Sequence, residues 1–247
     1  MADQTEHCAI AVMAKAPQPG RCKTRLIPPL TPEQAAALSG AFLRDITENL
    51  SLAGQAIPIQ GFIAYAPAGL EPLFSGHLAA GTKLVLADGE PVTADGVAGF
   101  GRALLHAVQA LLAQGYASVC LLNSDSPTLP TACLSQAAAL LAAPGDRVVL
   151  GPADDGGYYL IGMRAAHAAL FADIAWSTER VADQTRERAR SIGLELVELP
   201  AWYDVDDAAA LRRLHAELDT PAGGYAAPAT AACLVRLGLR AARQAAE

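Results

Sequence analysis

The 247-residue chain contains no apolar run near the eighteen or so residues that a spanning helix needs. Its longest apolar stretches, such as residues 103–113, are interrupted by His106 and Gln109. The opening residues, MADQTEHC, carry neither a basic segment nor a small-residue cleavage site, so the expectation is a cytoplasmic protein with no membrane partner. Cysteine is sparse as well. The five cysteines are scattered with no CxxC pair, which argues against a zinc or redox centre and for reduced thiols. Cys8 and Cys120 fall inside apolar runs and read as small core residues, whereas Cys22 lies in a basic loop that leaves it open to exposure. Excess positive charge is also missing. A formal net charge of -7 speaks against a nucleic-acid partner, which would require clustered lysine and arginine. One local exception stands out: from Lys15 to Arg25 the chain carries four basic residues and no acidic one, a setting for a small anionic ligand.

What is present alternates between strand and helix. Residues 8–14 form a short continuous apolar run, as expected of a strand covered on both faces. A loop held out of helix by Pro17, Pro19, Gly20, Pro28 and Pro29 follows. Thr31, Pro32 and Gln34 then have the spacing of a capped helix start. Further strands are expected at 59–65, 83–86, 118–122, 147–150, 158–162 and 194–199. Helices are expected at 99–114, 131–143 and 178–191, from about Asp207, and at 230–244. The pattern predicts an α/β fold with a mostly parallel central sheet and helices on both faces. Residues 1–220 read as one domain. Residues 221–247 read as a linker and a helix packed on that domain, with a homodimer contact as the alternative use of the last helix.

Four constellations carry chemistry. The first is Lys15, Gly20, Arg21, Lys23 and Arg25, placed after the first strand, where open α/β sheets bind their ligands. Lys23 and Arg25 can converge on phosphate oxygens as a point charge and a planar fork. The Walker spacing is absent. The second is Asn123-Ser124-Asp125-Ser126-Pro127, which presents a carboxylate at the end of a buried strand. Mg²⁺ commonly binds through one or two such carboxylates plus substrate phosphates. The third is Tyr203-Asp204-Val205-Asp206-Asp207: period-two alternation puts Asp204 and Asp206 on one side, either of which could complete a Mg²⁺ or Mn²⁺ site, while Asp207 caps a helix. The fourth is Asp154-Asp155-Gly156-Gly157-Tyr158-Tyr159, a turn suited to approaching a sugar or another polar acceptor. Ser177 reads as a helix N-cap, with Glu179 or Arg180 behind it as a contributor to the acceptor pocket. Asp125, Lys23 and Asp155 are the catalytic candidates, and Gly156, Gly157 and Glu179 the candidates for the acceptor or sugar pocket.

The segments MAKAPQPGRCKTRL, NSDSPTLP, LGPADDGGYYLIGM, WSTERVADQT and YDVDD, in that order, resemble the bacterial DUF2064 group of glycosyltransferase-A-like transferases. The resemblance implies a Rossmann-like nucleotide-diphospho-sugar transferase (GT-A) fold. The first segment is also similar to that of the molybdenum-cofactor and phospholactate guanylyltransferases. By that likeness Lys15, Lys23 and Arg25 would bind nucleotide phosphates, Asp125 would be the main metal ligand and Asp206 the second. Asn123 departs from the glycine expected at its position, and residues 95–102 match the expected pattern poorly. The implied activity is metal-dependent glycosyl transfer from a nucleotide sugar to a small acceptor. The alternatives are nucleotidyl transfer from a nucleoside triphosphate, with release of pyrophosphate, and a nucleotide-binding module without turnover.

Overall fold

Alternation along the central strands divides the interior into two cores. In β1 (Cys8–Met13), Cys8, Ile10 and Val12 face one core and Ala9 and Ala11 the other, all of them buried. In β4 (Ser118–Asn123), Cys120 and Leu122 face the first core and Val119 and Leu121 the second. A strand with both faces apolar needs cover on both sides, and the helices supply it. α1 (Pro32–Ala53), α3 (Thr131–Ala142), α5 (Ala208–Asp219) and α6 (Pro228–Arg236) close the first face; α2 (Phe100–Ala113) and α4 (Val181–Ser191) close the second. The computed structural model describes residues 6–220 and 223–240.

The remaining strands are β2 (Ile59–Tyr65), β3 (Lys83–Leu86), β5 (Arg147–Pro152), β6 (Tyr158–Met163) and β7 (Glu195–Glu198), and the sheet order is β3-β2-β1-β4-β6-β5-β7. All neighbouring pairs are parallel except the two made by β6, which runs against β4 and β5. The expected α/β class and mostly parallel sheet are therefore present. The reversal of β6 follows from the tight turn at residues 153–157, too short for a parallel crossover. Among the described residues no helix is long and apolar enough to cross a membrane.

Local chemistry explains the element ends. The Thr31 hydroxyl accepts from Gln34 N and the Gln34 side chain accepts from Thr31 N, at 3.2 and 2.9 Å, so the expected capping box opens α1. Asp207 caps α5 by accepting from Ala209 N and Ala210 N, both at 2.8 Å. Three expectations need correction. α4 starts at Val181, and Ser177 is no cap: its φ of 65° is left-handed, while the Thr178 hydroxyl turns back to donate to Ala175 O at 2.7 Å. The last helix stops at Arg236, followed by Gly238 at φ 69°, a left-handed terminator, and residues 241–244 of the expected helix lie outside the described residues. Cys22 is buried, its thiol donating to Gln18 O at 3.3 Å.

Candidate functional site

β1 and β4 are parallel neighbours, so the loops that leave Met13 and Asn123 rise from the same edge of the sheet. Lys23, in the first loop, adopts φ 49°, and its ammonium points into the second. Its Nζ lies 2.7 Å from Asp125 Oδ1 and 3.1 Å from Asp206 Oδ1, and donates to Val205 O at 2.8 Å. Three donors thus meet three acceptors, and the side chain is only 5% exposed. The ammonium also sits 5.3 Å from the centroid of the Phe42 ring. Arg25 reaches the other oxygen of Asp206 at 3.3 Å and is largely exposed.

Buried polar contacts hold this junction in place. Val205 N donates to Asp125 O at 2.8 Å and the Ser126 hydroxyl to Tyr203 O at 2.9 Å, stitching the two acidic segments together. Tyr203 and Val205 are buried, so alternation turns Asp204 and Asp206 outward to the same side. On α1, buried Asn49 donates to Leu129 O at 2.7 Å and accepts from the Thr131 hydroxyl at 2.6 Å, which anchors the far end of the Asp125 loop. Asn123, the departure from the expected glycine, accepts from Asp125 N at 3.4 Å. Burial, with the charges of Asp155, Asp206 and Asp125 adding to it, lifts the Asp204 carboxyl to about 6.

Two adjoining cavities open at this edge. One, of about 620 Å³, is lined by Lys15, Arg21, Lys23 and Arg25 and by residues at the ends of β2 and β3. The other, of about 530 Å³, is lined by Asp155, Gly157, Glu179 and Asp204 and by the aromatic side chains of Phe100, Tyr158, Tyr159 and Trp176. Asp125, Asp206 and Arg25 border both and form the ridge between them. The cationic candidates Lys15, Arg21, Lys23 and Arg25 therefore gather in one cavity, and Asp155, Gly157 and Glu179 in the other.

Two of the singled-out glycines line neither cavity. Gly20 takes φ 71° in a turn with open space around its α-carbon. Gly156, at φ 88°, packs beneath the backbone of Glu179, where a Cβ would stand 2.1 Å from Glu179 O; it sets the position of that segment instead. Asp154 turns away to pair with Arg213 at 2.6 Å. Arg180 precedes the first residue of α4 and lines neither cavity. Sequence reasoning missed Phe100, which is 49% exposed, borders both cavities and meets Trp176 edge-on at 5.6 Å and 89°. Its signal was a bulky aromatic at the first position of a helix preceded by Gly99, inside the stretch that fits the expected pattern least.

Among the described residues no group of three or more histidine, cysteine, aspartate or glutamate side chains is placed to hold a metal ion. Two carboxylates at the ridge do meet the lesser requirement of a Mg²⁺ or Mn²⁺ ion that also draws on substrate phosphates. The Lys23 ammonium lies between these two carboxylates and takes one oxygen of each.

No curated protein matches the chain. Among solved structures it is similar to a protein of Desulfovibrio desulfuricans G20 assigned to the nucleotide-diphospho-sugar transferases, at 29% identity and TM-score 0.79, over 94% of this chain and 95% of that one. A CMP:2-keto-3-deoxy-manno-octonic acid synthetase solved with CTP is similar at 12% identity and TM-score 0.52, over 86% and 98% of the two chains. Glucosyl-3-phosphoglycerate synthase from Mycobacterium tuberculosis, solved with Mn²⁺, UDP and phosphoglyceric acid, is similar at 12% identity and TM-score 0.50, over 94% and 78%. At that identity the last two likenesses concern the fold, which is the GT-A-like one expected. The family model described as "Uncharacterized protein conserved in bacteria (DUF2064)" matches residues 50–178, just over half of the chain, including the Asp125 loop and the Asp155 turn. With its motifs in order on this fold, the chain belongs to the DUF2064 family.

Proposed function

We propose that the chain is a nucleotide-dependent transferase that moves a glycosyl group from a nucleotide sugar to a small acceptor. The observation that carries this reading is the ridge itself: Asp125 and Asp206, both in contact with Lys23, with a basic cavity on one side and an acidic, aromatic one on the other. The relatives support it, since the D. desulfuricans protein is assigned to the nucleotide-diphospho-sugar transferases and structures of the same fold hold UDP or CTP.

In this reading Lys15, Arg21 and Arg25 bind the diphosphate of the donor in the basic cavity, placing its bond to the sugar over the ridge. Lys23 serves as a fixed positive charge at the point where negative charge develops as the nucleoside diphosphate leaves. Asp125 and Asp206 would hold Mg²⁺ or Mn²⁺, which when bound neutralises charge on the leaving diphosphate. Asp155 and Glu179 face the acceptor, and Asp155, whose carboxylate accepts from Gly157 N at 2.9 Å, is held in a fixed orientation for receiving the acceptor proton.

The density of cations in the first cavity favours a second reading, nucleotidyl transfer from a nucleoside triphosphate. A thermal-shift panel of nucleotide sugars and nucleoside triphosphates, with and without Mg²⁺ or Mn²⁺, separates the two, because a ligand that binds the native state raises its apparent stability. Glycosyl transfer predicts metal-dependent stabilisation by nucleotide sugars; stabilisation by triphosphates alone selects the nucleotidyl reading. Tight nucleotide binding unaffected by metal and by Asp125→Asn would indicate a module without turnover.

A further inference from the structure

The charges around the ridge are divided between the two cavities. The basic cavity holds four cationic side chains against two carboxylates. The other holds five carboxylates against the single guanidinium of Arg25, and that guanidinium is already 3.3 Å from Asp206. With Asp125 and Asp206 engaged by Lys23 and Arg25, the carboxylates of Asp155, Glu179 and Asp204 have no ion-pair partner among the described residues. Asp155 and Glu179 are exposed to the cavity. The lining is also aromatic: Trp176 and Phe100 form an edge-on pair with Phe100 half-exposed, and the buried hydroxyl of Tyr158 has no hydrogen-bond partner among the described residues. Gly101 lets the indole approach α2, since a Cβ there would lie 3.1 Å from Trp176.

We infer that this cavity takes an uncharged or amino sugar as acceptor and turns away acceptors that carry phosphate or carboxylate. A sugar ring offers an apolar C–H face to the aromatic pair and hydroxyl donors to carboxylates that can only accept. A phosphate entering the same space would meet unpaired negative charge and, among the described residues, no free cation, a juxtaposition that discriminates between partners. The inference rests on the glycosyl-transfer reading and specifies its second substrate.

The test uses tryptophan fluorescence of the full chain, titrated with methyl glucoside, glucosamine and glucose 6-phosphate. The first two should saturate a change in emission that Trp176→Phe removes, and glucose 6-phosphate should bind roughly tenfold more weakly. The double variant Asp155→Asn/Glu179→Gln should close most of that gap, because it removes the repulsion while the amide oxygen introduced at position 155 can still accept from Gly157 N. Should the double variant not fold, Glu179→Gln alone, at an exposed side chain with no hydrogen-bond or ion-pair partner among the described residues, should narrow the gap about threefold. Equal or tighter binding of glucose 6-phosphate, an unchanged gap in the variants, or no sugar binding at all would overturn the inference. Binding of nucleotide sugars with Mn²⁺, measured on the same protein, keeps the two proposals apart. Its absence defeats the transferase reading while the charge preference of this cavity can still be read; its presence alongside a preference for the phosphorylated sugar defeats only the acceptor assignment.

Discussion

The two cavities share a ridge and differ in almost everything else. The basic one takes its cations from the loop between β1 and α1, where they lie close together in sequence; the acidic one is walled by the β5–β6 turn, the segment before α4 and the extended segment around Asp204, which are far apart in sequence. The comparison teaches that a net charge of -7 says little about a site, because charge is sorted by which segments the sheet brings to its edge. The cations of the basic cavity could be anticipated from a single stretch of chain. Asp155, Gly157 and Glu179 were also legible as candidates, but not their assembly with Asp204 and the aromatic side chains.

Predictions that test this division run from strong to weak effects. Asp125→Asn, at the ridge, should lower metal-dependent turnover by roughly a thousandfold while leaving the circular dichroism spectrum unchanged; retained turnover would remove Asp125 from the reaction. A pH effect belonging to neither cavity provides a control. Asp45 is fully buried on α1 and accepts from Ala229 N at 2.9 Å and Thr230 N at 2.6 Å, so it caps α6 from another element. Burial raises its carboxyl from 3.8 to about 6. Between those values the folded state binds more protons than the unfolded one. Its contribution to stability is therefore complete below about pH 4 and is lost as pH rises to about 6, on the order of 3 kcal/mol in all. Denaturation of Asp45→Asn across this range should show a reduced slope, the remainder coming from the likewise raised Asp204 carboxyl; an undiminished slope in the variant would assign the whole effect to the acidic cavity.

Lys23→Ala leaves Asp125 and Asp206 facing one another without their shared cation. A loss of about 2 kcal/mol is expected, below the figure for a wholly buried pair because both carboxylates retain some exposure. Equilibrium denaturation in chelator and then in Mn²⁺ checks this: the divalent ion should restore more stability to the variant than it adds to the parent. Nucleotide affinity should fall too, with a shallower dependence on salt; unaltered affinity and salt dependence would break the phosphate assignment of the basic cavity. The smallest effect is expected on the aromatic wall. Phe100→Ala should raise the acceptor KM by roughly threefold to tenfold through loss of an edge-on contact. Because Phe100 borders both cavities, a matching change in nucleotide affinity would mean that the two are not functionally separate.

Much of this molecule could be read from local pattern. The boundaries of β2 and β3 coincide with the expected 59–65 and 83–86, and the capping box at Thr31 and Gln34 and the cap at Asp207 form as expected, because periodicity and capping act over a few residues. The start of α4 was misread for the opposite reason. Ser177 has the side chain of a cap, yet the close packing of Gly156 under Glu179 governs the backbone there, and no property of residues 176–180 announces a contact with residue 156. Phe100 went unrecognised because an exposed aromatic at a helix start has no local signature distinguishing ligand contact from packing.

The amino acids alone specify which groups can bind phosphate, hold a metal or receive a proton, since those capacities belong to side chains. They also specify the order of strands and helices, because alternation and capping are local. Which charges meet was settled by the parallel pairing of β1 with β4 and by the Val205–Asp125 hydrogen bond, which carry Lys23 to within 2.7 Å of Asp125 and bring Asp206 to the same ammonium. Interactions between groups so far apart along the chain depend on distance in space, and only the folded sheet creates that distance.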